Sequence, residues 1–146
     1  MPSIVLDFDP PLPHTPGFNG DQSDLVYFLS YGYSARYGAQ HELSLAALAL
    51  KQELKIDTLP LLTFADRDIE EDVDAETLEL AWQAAAPLAK CCDEVAAALL
   101  SNDTRFTAIV EEYPRLVPSI QELGANASRQ AEHGGRIRIT YKLEDE

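Results

Sequence analysis

The sequence predicts a mainly α protein, a single domain over residues 1–146. It reads as a helical bundle of about four to five helices with a small two-stranded β-sheet formed by the N- and C-terminal strands, or α+β if the sheet is larger. Three observations carry this. Both chain ends alternate apolar and polar residues, the period of a half-buried strand. Between them, apolar residues recur every three or four positions, as on helices with one buried face. The length of 146 residues, with 46 % hydrophobic and 25 % charged, suits one core and not a disordered chain.

The elements follow in order. In residues 3–9, Ile4, Leu6 and Phe8 point one way, and Ser3, Val5, Asp7 and Asp9 the other. Pro10, Pro11, Pro13 and Pro16 then forbid regular structure, and Gly17 and Gly20 extend the loop. Asp21 or Ser23 can cap a short helix carrying Leu25, Phe28 and Leu29. Gly32 and Gly38 weaken it, which predicts an end near Tyr31. Residues 42–56 form a helix with Leu43, Ala47, Leu50 and Leu54 on one face; Leu45 and Leu48 widen that surface, so the helix is expected to be central. Residues 59–65, LPLLTFA, are a strand or a buried connection, since periodicity does not decide.

Residues 75–101 predict one helix kinked at Pro87, or two helices. Leu78, Trp82 and Ala85 line a face before the proline; Leu88, Cys92, Val95 and Leu99 form a packing seam after it. Asn102 or Asp103 caps the next helix, whose stripe is Phe106, Ile109, Val110 and Tyr113. Pro114 ends it. Pro118 fits the first turn of a last helix running to about His133, stopped by Gly134 and Gly135. The final strand has Ile137, Ile139, Tyr141 and Leu143 on one face and Arg136, Arg138, Thr140 and Lys142 on the other.

Asp7-Phe8-Asp9, at the end of the first strand, resembles the first motif of haloacid-dehalogenase-type phosphatases. That likeness implies two aspartates serving a phosphoryl nucleophile and a magnesium ion. It covers only these few residues. Where that family has a turn residue and then Thr, Pro10 and Pro11 follow here. The repeated strand–helix units of its parallel sheet are also missing. The alternation offers a different use. If the two end strands pair, Asp7 and Asp9 stand beside Arg136, Arg138 and Lys142, and opposite charges across a strand pair contribute about 0.2–1 kcal/mol each.

The net charge of -14 and pI of about 4.4 argue against nucleic acid and against anionic membranes, which need a clustered basic surface. With no signal peptide or long apolar span read in the sequence, a cytoplasmic location is expected. Cys91 and Cys92 fit neither a zinc pattern nor a disulfide framework and are expected to be buried and structural. Residues 66–77 resemble an EF-hand loop, with Asp66, Asp68, Glu70 and Asp72 at its first, third, fifth and seventh positions. Glu71 replaces the turn glycine and Thr77 the bidentate acid, so these four are weak cation candidates without a specific calcium site. Glu76 and Glu79 match the first acidic pair of all-α nucleotide pyrophosphatases, but Ala97, three residues after Glu94, breaks the second. His14, His41 and His133 lack the Glu-x-x-His spacing of di-iron bundles. No cofactor is expected.

The most unusual composition lies between residues 18 and 38. Tyr27, Tyr31, Tyr33, Arg36 and Tyr37 are the candidate interaction residues, because tyrosine and arginine each offer a flat apolar body and a polar tip. The sequence therefore favours a non-catalytic protein–protein interaction module, with a protein partner or self-association. The alternative is a small metal- or ligand-binding enzyme using an acidic pocket near the Tyr-rich segment.

Overall fold

A computed structural model describes residues 3–11, 22–34, 42–66, 72–101 and 103–142. In chain order the elements are β1 (Ser3–Asp9), α1 (Ser23–Ser34), α2 (Glu42–Gln52), α3 (Leu59–Leu62), β2 (Phe64–Asp66), α4 (Asp72–Leu80), β3 (Trp82–Ala84), α5 (Ala85–Leu99), α6 (Thr104–Glu112), α7 (Leu116–Glu132) and β4 (Arg136–Lys142). The chain is mostly helical, with a small mixed sheet.

The two chain ends pair antiparallel over seven residues, with Asp7 opposite Arg138 and Asp9 opposite Arg136. The sheet is nevertheless larger than the two strands expected. β4 is its central strand. β1 lies on one side, and β2 and β3 share the other, β2 parallel beside Ile139 to Tyr141 and β3 antiparallel beside Arg136 to Arg138. Both are three residues long, too short for periodicity to reveal, and they form because β4 offers a second row of backbone groups that burial obliges to pair.

One sheet face carries Ile4, Ile137 and Ile139 into the main core, with Leu6, Phe8, Phe64 and Tyr141 packed at its edge. The other face is covered in part. Ala65, Leu78 and Ala81 make a small second core there, and Trp82 lies under two guanidinium groups, 4.6 Å from that of Arg138 and 5.2 Å from that of Arg136.

Of the two alternatives for residues 75–101, two helices form, but the break falls at β3, which separates α4 from α5, and not at Pro87. Pro87 falls in the first turn of α5, where a missing N–H costs nothing. α5 packs most extensively on α7. The close approach comes from Gly124, where an added Cβ would stand 3.0 Å from Cys92 Cβ.

α7 closes as foreseen at Gly134, whose φ is 64°. The Gly134 N–H donates to Ala131 O at 3.0 Å and the Gly135 N–H to Gln130 O at 3.2 Å, the paired bonds of a Schellman cap. Gly135 also makes room for the Gln130 amide, which a Cβ would overlap. Gln130 is fully buried. Its Nε2 donates to Pro10 O at 3.0 Å and Arg136 O at 2.8 Å, tying the end of β1 and the start of β4 to α7.

Three smaller expectations change. α1 continues through Gly32 to Ser34, since its apolar face is held by packing that outweighs glycine's weak propensity. α2 ends at Gln52, before residue 56, and Leu45 and Leu54 are exposed, so its buried face is narrower than the apolar pattern implies. Residues 59–65 split into α3 and the start of β2. Among the described residues no helix is long and apolar enough to cross a membrane.

Candidate functional site

α1 is held from several sides. Leu25, Val26, Phe28 and Leu29 are at most 2 % exposed, and the helix packs on α2 with further contacts to α3, α7 and β1. Asp24 Oδ2 accepts the Arg115 backbone N–H at 2.9 Å, pinning the start of α1 to the start of α7. From this anchored helix Tyr27 projects with 43 % exposure. Tyr31 and Tyr33 belong to α1, but their side chains lie outside the described residues, as do Arg36 and Tyr37 altogether. On neighbouring α2, Leu45 is 48 % exposed.

Asp66 ends β2, opposite Tyr141, and Asp72 begins α4; Asp68 and Glu70 lie outside the described residues. Glu76 and Glu79 are exposed on α4. Among the described residues no group of three or more His, Cys, Asp or Glu side chains could hold a metal ion.

The phosphatase-like aspartates are engaged elsewhere. Asp7 Oδ2 accepts Arg138 Nε at 3.0 Å and lies 2.9 Å from its Nη2. Arg138 Nη1 donates to Leu78 O at 3.2 Å. Asp9 pairs with Arg136. Each carboxylate faces a guanidinium set by strand register, which suits a register device better than a phosphoryl nucleophile.

A shallow groove of about 410 Å³, which sequence reasoning missed, runs between α3 and the first turns of α5. Asp57, Pro60, Ala86, Pro87, Lys90, Cys91 and Glu94 line it. Asp57 Oδ1 accepts the Leu59 N–H at 3.1 Å, shaping the turn into α3. The signal was present in Asp57-Thr58-Leu59-Pro60, polar residues before a proline near a helix start. Burial pushes the Cys91 thiol from 9.0 up to about 11, with a hydrogen bond to the Leu61 backbone opposing and the Asp57 and Glu94 charges adding. Burial raises Cys92 further, with Cys91 and Asp93 adding. A thiol acts as nucleophile through its thiolate, so both cysteines behave as small apolar side chains, as expected. In comparisons with known protein families, curated proteins and solved structures, none matches this chain.

Proposed function

We propose that this protein is a non-catalytic interaction module whose docking surface centres on the outer face of α1, and that its partner is a basic protein. The observation that carries this reading is Tyr27, an exposed aromatic on a helix whose adjacent residues are buried. A rigid anchor loses little side-chain freedom on binding, and exposed tyrosines on fixed scaffolds are favoured as interface centres. Tyr31 follows one helical turn later. The charge of -14 selects for a basic partner through long-range steering. Arg115, Arg136 and Arg138 are already paired with Glu122, Asp9 and Asp7, while Glu76, Glu79, Asp93, Glu94 and Glu111 are exposed.

The test places a photo-crosslinking amino acid at Tyr27 and, as a control, at exposed His133, in cells of the source organism. A basic protein captured at position 27 but not at 133, and binding about thirtyfold more weakly to Tyr27→Ala, is the expected result. Equal capture at both positions refutes the reading. A second reading, a small-ligand site, is favoured by the groove between α3 and α5, whose volume suits a small ligand and whose lining combines the Asp57 and Glu94 carboxylates and the Lys90 ammonium with apolar Pro60, Ala86 and Pro87. Ligand-induced NMR shifts confined to residues 57–60 and 86–94 would support it.

A further inference from the structure

β1 is an edge strand. All seven of its residues pair with β4, and among the described residues no strand pairs with its other side. The direction of its outer backbone groups can be read from two bonds. The Ile4 N–H donates to Gln22 Oε1 at 3.4 Å, so it points away from β4. Val5 O accepts Thr140 Oγ1, so it points toward β4. By the alternation of an antiparallel ladder, the N–H and C=O groups of Leu6 and Phe8 also point outward. Leu6 and Phe8 are half-buried, whereas Ile137 and Ile139 beside them on β4 are fully buried. Such an edge is a template for another strand.

We propose that β1 pairs antiparallel with β1 of a second copy, about a two-fold axis through Leu6, joining two sheets into one. The register selects this occupant. With the axis at Leu6, all seven residues pair: Leu6 with its own copy, Ile4 with Phe8 of the partner subunit, Val5 with Asp7 of the partner subunit, and Ser3 with Asp9 of the partner subunit. Leu6, Ile4 and Phe8 then exchange backbone bonds, with the Gln22 side chain yielding at Ile4. No aspartate faces an aspartate. Moving the axis to Asp7 sets Asp7 against its own copy, and moving it to Phe8 sets Asp7 against Asp9 twice. Moving it to Val5 leaves Phe8 and Asp9 outside the paired segment. The contact also falls where this acidic chain is locally neutral, since Asp7 and Asp9 are matched by Arg138 and Arg136. The surface and the occupant both differ from those proposed for Tyr27.

Sedimentation equilibrium on the whole chain tests the pairing through Val5, which is half-buried on the face away from the main core and would sit opposite Asp7 of the partner subunit. Val5→Asp creates two like-charge pairs per dimer and Val5→Lys two opposite-charge pairs, while both remove the same valine. Val5→Asp should raise the dimer Kd, and Val5→Lys lower it, by roughly twofold to thirtyfold each. Added salt should tighten the unmodified dimer by screening the repulsion between two acidic molecules. In the unmodified protein the Leu6 and Phe8 amides should gain protection from hydrogen exchange as concentration rises. A chain that stays monomeric up to about millimolar concentration in high salt, substitutions that shift Kd together or not at all, or Leu6 and Phe8 amides whose exchange ignores concentration would each overturn the proposal.

Discussion

Gln130→Met removes the amide that fastens both chain ends to α7 while nearly preserving side-chain volume. Two bonds disappear, to Pro10 O at 3.0 Å and Arg136 O at 2.8 Å. Each is worth about 1 kcal/mol net, and a carbonyl left without a partner adds about 1–3 kcal/mol if water does not reach it. Pro10 is exposed, so its carbonyl can turn to water. One contribution runs the other way. Gln130 Oε1 is buried without a hydrogen-bond partner, and deleting it recovers about 1 kcal/mol or more. The sum is a loss of about 2 kcal/mol, or roughly 4–8 °C in Tm for a domain of this size. Urea denaturation followed by circular dichroism measures it. Gly135→Ala should cost a similar amount, because its Cβ would overlap the same amide, and the two losses should add to less than their sum since they break one arrangement. A change below about 0.5 kcal/mol for Gln130→Met, or full additivity with Gly135→Ala, would refute the reasoning; such a small loss is typical of surface substitutions.

Other outcomes follow from the same structure. Deleting residues 136–146 removes the central strand that pairs with β1, β2 and β3, and should abolish the cooperative thermal transition; an unchanged melt would show that the ends do not hold the fold. Neither thiol should react with a maleimide at pH 8 until denaturant is added, as burial holds both as neutral thiols. Because folding raises the Cys91 pKa from 9.0 to about 11, the folded state binds that proton more tightly. Its contribution is therefore intact below pH 9 and lost as pH rises toward 11, which a pH series of urea midpoints checks against Cys91→Ala. Gly124→Ala should destabilise by about 1–3 kcal/mol despite alanine's better helix propensity, since its Cβ meets Cys92 Cβ at 3.0 Å between α5 and α7 and overpacking outweighs the propensity gain; a more stable variant in calorimetry would show that the helices separate freely.

What the sequence determined by itself is the part governed by local chemistry and by patterns long enough to repeat. β1 and β4 each alternate over seven residues, so their faces, and with them the Asp–Arg pairing, follow from a period of two and from charge. The end of α7 was legible because the left-handed conformation at Gly134 is one that glycine adopts without strain. The burial of both cysteines followed from their place on the apolar stripe of α5. Of the candidate site, the sequence singled out Tyr27, Tyr31, Tyr33, Arg36 and Tyr37 together, because four tyrosines and Phe28 within eleven residues exceed what one face of a short helix can bury; of these the described side chain is that of Tyr27, which is exposed.

Only tertiary structure decided the rest. Trp82-Gln83-Ala84 has no strand pattern of its own; it is extended because β4 has a second edge to satisfy, while the Gln83 amide reaches Pro60 O at 2.8 Å. Leu45 on α2 and Leu54 beyond its end look like core residues by spacing, yet both are exposed. The groove between α3 and α5 joins Asp57 to Lys90 and Glu94, more than thirty positions away. The clamp at Gln130 joins residues 10, 130 and 136. No local pattern encodes such meetings, because hydrophobic burial is non-directional and the partner that each side chain finds depends on how all the elements pack at once.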